Sequence, residues 1–92
     1  MIINLSIKGY LSKFFEQSHY ELELKEGATL ADLYDAIGDK FGASLPGSVW
    51  SHEKKKFRGP VSVSIGEKII GDPVFPLADQ QQISVTRYII GG

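Results

Sequence analysis

Few side chains in this sequence stand in a pattern that does chemistry. There is no cysteine, which removes disulfides, thiolate metal sites and a cysteine nucleophile. His19 and His52 are the two histidines, and no carboxylate stands at a recognisable metal-ligand spacing from either, so no metal site is expected. There is no glycine-rich phosphate loop and no serine–histidine–aspartate pattern. What remains is the end of the chain, Gly91-Gly92. A free α-carboxyl titrates near ~3.5, so at neutral pH Gly92 carries a carboxylate, a poor electrophile that becomes an acyl donor only after activation. Glycine lacks Cβ and tolerates all φ regions, so a diglycine end can pass along a narrow channel with its backbone close to the walls. Residues 88–92, if extended, span roughly 17 Å, enough to enter a neighbouring subunit's pocket.

The rest of the chain has to present that end. Ile3, Leu5 and Ile7 alternate with Asn4, Ser6 and Lys8, the period-two pattern of a strand with one buried face. Residues 19–25 alternate again, with Tyr20, Leu22 and Leu24 inward, so the two runs form an antiparallel hairpin around a long loop at 11–18. The clearest helix follows. Thr29 is its N-cap and Asp32 completes a capping box, while Asp32 and Asp35 place negative charge near the positive end of the helix dipole. Leu30, Leu33, Tyr34, Ile37 and Phe41 form one apolar stripe, worth on the order of 10 kcal/mol of gross transfer free energy before chain entropy is subtracted. Gly42 is placed as the C-terminal cap, and Gly38 weakens the helix interior slightly. Asp32, Asp35 and Asp39 on the polar side serve capping and solubility rather than acid–base catalysis.

A connection over 42–59 then leads to a strand at 61–65, a turn at Gly66-Glu67, a short strand at 68–70, another turn at 76–79 and a last strand at 83–88. The order ββαβ(β)β predicts an α+β fold: a mixed sheet of four to five strands packed against one main helix. Ninety-two residues make a single domain, 1–92, with 88–92 expected as a flexible tail. Hydrophobic residues at 42% and charged residues at 23% argue against disorder. A net charge of −1 gives no general reason to expect nucleic acid or an anionic membrane as partner. The N-terminus lacks the long apolar segment of an export signal and no run is long enough to span a membrane, so a cytoplasmic protein is expected.

At this point the residues resemble a known family. The segment 61–70, then Pro76-Leu77-Ala78-Asp79, then Ile83-Ser84-Val85-Thr86 and the terminal Gly91-Gly92, are similar to the MoaD/ThiS-type sulfur carriers, which are ubiquitin-like β-grasp proteins. The length is nearest the small subunit of molybdopterin synthase. The resemblance implies that an E1-like enzyme adenylates Gly92 with ATP, and that sulfur from a persulfide then replaces AMP to give a thiocarboxylate. It implies delivery of that sulfur in the active site of a partner like the molybdopterin synthase large subunit. The chain would be a carrier or non-catalytic synthase subunit, with no permanently bound cofactor. Two departures stand out. The family commonly has an Asp-Gly-Asp-Glu turn before the last strand, where this chain has Asp79-Gln80-Gln81-Gln82, and prolines before the tail, where it has Tyr88-Ile89-Ile90.

Gly91 and Gly92 are therefore the expected reactive end, with Arg87, Tyr88, Ile89, Ile90 and Ile69 as the partner-binding candidates. Ile89 and Ile90 could equally finish the last strand and pack in the core. The run His52-Glu53-Lys54-Lys55-Lys56-Phe57-Arg58 could meet an acidic partner or RNA, but such a run is more often a solvated loop, anchored here by Trp50 and Phe57. Two other functions stay open: a ubiquitin-like modifier joined through Gly92 to a lysine, and a β-grasp accessory subunit with no chemistry at its tail.

Overall fold

The computed structural model describes residues 1–87. The alternation at the N-terminus becomes β1 (Ile2–Gly9), whose Ile3, Leu5 and Ile7 are each at most 3% exposed. It pairs antiparallel with β2 (His19–Glu23), Leu22 opposite Ile3 and Tyr20 opposite Leu5. Their connection is more ordered than an open loop. Tyr10–Phe14 wind a 3₁₀ turn that drops Leu11 fully into the core, and the Ser12 hydroxyl donates to the Gly9 carbonyl at 2.8 Å.

Helix α1 (Leu30–Phe41) begins where the capping pattern places it. The Asp32 carboxylate accepts from the Thr29 backbone N–H at 2.8 Å and from the Thr29 hydroxyl at 3.1 Å. Asp32 titrates below its ordinary value, chiefly because of that backbone hydrogen bond. Leu30, Leu33 and Ile37 are buried, and Tyr34 and Phe41 pack half-buried against the same core.

The C-terminal end differs from expectation. Gly42 has φ −53°, in the right-handed region, and the chain tightens into a 3₁₀ turn at Gly42–Ser44 instead of reversing through a left-handed glycine. The two glycines have a packing role. A Cβ on Gly38 would stand 3.0 Å from Trp50 Cζ2, and one on Gly42 would stand 3.4 Å from Trp50 Nε1. One turn apart, they make a flat strip on which the indole lies.

Trp50 belongs to a small hairpin inside the 42–59 connection, β3 (Trp50–Ser51) against β4 (Lys56–Phe57). Its ring meets Phe57 edge-on at 4.9 Å, and the two are 1% and 8% exposed, so they do anchor this segment on the domain. β5 (Val61–Ile65), β6 (Lys68–Ile70) and β7 (Gln81–Arg87) complete the main sheet. The strand order is β2-β1-β7-β5-β6, five strands with one main helix on one face. β7 is central and runs parallel to β1 from Ile3 opposite Gln81 to Gly9 opposite Arg87, and antiparallel to β5. This is the expected β-grasp arrangement. The last strand starts two residues earlier than the sequence reading placed it, because Gln81 and Gln82 pair with Ile3 and Asn4.

Candidate functional site: the end of the central strand

β7 carries the chain to the edge of its described part. Ile83 and Val85 are fully buried beneath it, and backbone pairing on both sides fixes its course up to Arg87. Gly9 and Val61 are the register partners of Arg87. Gly9 has φ +67°, and a Cβ there would come within 2.9 Å of the Arg87 carbonyl oxygen, so only glycine fits this crossing.

The Arg87 guanidinium has two close neighbours, Tyr10 and Gly59. Its central carbon is 5.6 Å from the centre of the Tyr10 ring. A Cβ on Gly59, at φ +82°, would meet a guanidinium nitrogen at 3.2 Å, so the bare glycine makes the room. Lys13 Nζ stands 4.1 Å from the same Tyr10 ring and 5.6 Å from that of Phe14, and Tyr10 meets Phe14 edge-on at 5.6 Å. The Lys13 ammonium close beside the phenol, together with the charge of Arg87, holds the Tyr10 phenol below its ordinary value. Two cations on an aromatic base therefore flank the point where β7 delivers the chain.

The expected site residues fare differently. Arg87 stands at this exit. Tyr88, Ile89, Ile90, Gly91 and Gly92 lie outside the described residues. Ile69 is 67% exposed while its neighbour Ile70 is 5% exposed, so the outward member of that pair is the one expected. The structure does not bring Ile69 to Arg87. Ile69 is in register with Ser64 and, through it, Ser84; Arg87 shares its parity with Val85, so the two side chains leave opposite faces of the sheet. Around Ile69 the open face is made of small half-buried residues, Ser6, Ser62, Ser64, Ser84 and Thr86. Sequence reasoning missed Tyr10, Lys13 and Gly59, which lie far from Arg87 in the chain. The positive-φ demand at Gly9 and Gly59 was the one signal that could have marked them.

Among the described residues no group of three or more histidines or carboxylates could hold a metal ion, and no helix is long and apolar enough to cross a membrane. Among the described residues the exit has cations and an aromatic base but no nucleophile paired with a base.

No protein-family model and no curated protein matches the chain. Solved structures do. The crystal structure of SAMP1 from Haloferax volcanii superposes with a TM-score of 0.79 at 12% identity, covering 100% of both chains. A Pyrococcus furiosus protein assigned as molybdopterin converting factor subunit 1 gives 0.70 at 15% identity, covering 96% of this chain and 98% of that one. A chain from the complex of subunits 1 and 2 of the Helicobacter pylori molybdopterin-converting factor gives 0.64 at 16% identity over 100% of both. At such identities the likeness is one of fold, and the fold of this chain is the ubiquitin-like β-grasp that it shares with a SAMP and with molybdopterin-converting-factor proteins.

Proposed function

We propose that this protein is a sulfur carrier whose working group is the Gly92 carboxylate. The observation that supports it is the placement of β7: the strand is locked between β1 and β5 as far as Arg87, five residues before Gly92. In this reading the carboxylate attacks the α-phosphorus of ATP in an E1-like enzyme, releasing pyrophosphate and leaving an acyl adenylate. A persulfide's terminal sulfur then attacks the acyl carbon and AMP departs. A second thiol cleaves the resulting acyl disulfide, leaving the thiocarboxylate on Gly92 and a disulfide on the sulfur donor. The sulfur goes to a molybdopterin precursor in a partner like the synthase large subunit. The fold shared with a chain of a molybdopterin-converting-factor complex supports that choice. The carrier contributes reach and a docking surface.

A second reading has its own support. SAMP1 shares the fold over the whole chain, and a further crystal structure, of Haloferax volcanii small archaeal modifier protein 1, superposes with a TM-score of 0.76. A modifier shares the activation step and differs in the last nucleophile, a lysine amine in place of a persulfide. Intact mass spectrometry after co-expression with a cognate activating enzyme separates the two. Sulfur in place of one oxygen, placed on Gly92 by fragmentation so that oxidation of Met1 is excluded, is the expected result. Gly92 found joined to lysines of other proteins selects the modifier, and an unmodified carboxylate beside a competent activating system overturns both.

A further inference from the structure

The basic run at 52–58 reads from sequence as a solvated loop, yet the structure makes it one wall of a cleft. The cleft, of about 500 Å³, lies between the N-terminal half of α1, the β3–β4 hairpin, the start of β5 and the 71–73 segment. That volume is in the range that receives a small ligand or a few side chains. Ala31, Tyr34, Phe57, Val61 and Pro73 give it an apolar lining, with the Tyr34 and Phe57 rings 6.3 Å apart and edge-on. Lys54, Lys55 and Lys56 stand along the hairpin side.

The hairpin backbone that carries the lysines is held in place. The Lys54 backbone N–H donates to the Ser51 hydroxyl at 3.0 Å and that of Lys55 to the Ser51 carbonyl at 2.8 Å, with Ser51 itself 2% exposed. Lys55 takes φ +53°, an uncommon conformation for a residue with a Cβ. Of the three cations, Lys55 lies 4.0 Å from Asp35 across the cleft, and among the described residues Lys54 and Lys56 have no ion-pair partner. An apolar trough beside a row of cations is complementary to a chain with carboxylates next to a large apolar side chain.

We propose that this cleft docks an acidic peptide segment of a partner protein, with one apolar residue seated over Tyr34 and Val61 and flanking carboxylates on Lys54 and Lys56. Nucleic acid fits less well. Asp35 and Glu53 also line the cleft and oppose any anion alike, so the distinction rests on Phe57, which at 8% exposed offers no free face on which a base could stack. The inference does not depend on the chemistry of Gly92, because nothing in it uses the chain end.

The test is selection of a random heptapeptide library displayed on phage against the full chain, followed by titration of the enriched synthetic peptides by NMR. The expected result is enrichment of sequences with two or more carboxylates around a leucine, isoleucine or aromatic residue, shifting the amides of Tyr34, Phe57 and Val61. The exposed double variant Lys54→Glu/Lys56→Glu should weaken binding by about tenfold or more while keeping the wild-type melting curve. Enrichment of nothing, enrichment without carboxylates, or affinity unchanged in the double variant overturns the proposal. So does a single-stranded oligonucleotide that moves the same amides more strongly than the peptides. Truncation after Arg87 is the last arm: if it alone moves those resonances and raises peptide affinity, the chain's own end is the occupant and the proposal falls.

Discussion

Gln80 shows how one residue records a departure in the sequence. Where the resembling family commonly carries glycine in the turn before the last strand, this chain has glutamine, and its φ is +65°. The turn is held by other means: the Gln80 N–H donates to the Ile2 carbonyl at 2.7 Å, the Ile2 N–H donates to Asp79 Oδ1 at 2.7 Å, and the Ala78 N–H donates to Gln81 Oε1 at 3.0 Å. The left-handed conformation costs a residue with a Cβ about 1–2 kcal/mol, and glycine's extra unfolded-state entropy returns about 0.4–1 kcal/mol of that. Gln80→Gly should therefore stabilise the protein by about 0.5 kcal/mol in urea unfolding, and a loss of stability would show that the side chain makes a contribution of its own. At the other turn-like junction, Asp32 accepts from Thr29 and titrates below its ordinary value of 3.8. A carboxylate whose folded pKa is depressed contributes stability that is present above the unfolded value and disappears as pH falls through the folded one. The gap in melting temperature between wild type and Asp32→Ala should hold steady from neutral pH to about pH 5 and shrink below about pH 4; a gap that stays constant down to acid conditions would mean that the cap does not depend on charge.

At the scale of elements, the strands with strict alternation and the capped helix were legible because each bears its own period and its own punctuation. The β3–β4 hairpin was not, since strands of two residues carry no period; only the pairing of Trp50 with Phe57 across the turn defines it. Gly38 was read as a weak point of the helix, a judgement from propensity alone. What sequence cannot show is that an indole from twelve residues later lies on that glycine, and likewise that Tyr10 and Lys13 come to Arg87, because both depend on long-range packing. The strip of glycines gives a graded prediction. Alanine in a helix interior gains about 1 kcal/mol over glycine. At Gly38, with a Cβ 3.0 Å from a ring that is 1% exposed and pinned by Phe57, overpacking costing about 1–3 kcal/mol cancels or exceeds that gain. At Gly42 the approach is 3.4 Å, and less has to move. Gly38→Ala should thus be the less stable of the two single variants by about 1 kcal/mol in paired urea denaturations; the reverse order would show that the indole has room to shift.

Taken as a whole, the molecule separates what holds it together from what it is proposed to do. Its core lies between α1 and the sheet, and β7, paired on both sides, is the strand whose loss would divide that sheet. Lys8, Lys13 and Arg87 stand on or beside neighbouring strand ends where the described part of β7 stops. Removal of Gly91-Gly92 takes away no side chain that could be buried and leaves the pairing of β7 untouched. Since about 1 kcal/mol corresponds to roughly 4–8 °C for a domain of this size, the deletion should move the melting temperature by less than about 2 °C. Sulfur transfer, or conjugation to lysine, should vanish completely, because the acyl group that would be adenylated is no longer at the end of a diglycine. If melting falls by more than about 5 °C, the last residues are folded into the domain and the tail reading is wrong. If melting and transfer both survive, the chain is an accessory subunit, and the part of the molecule that matters is its surface.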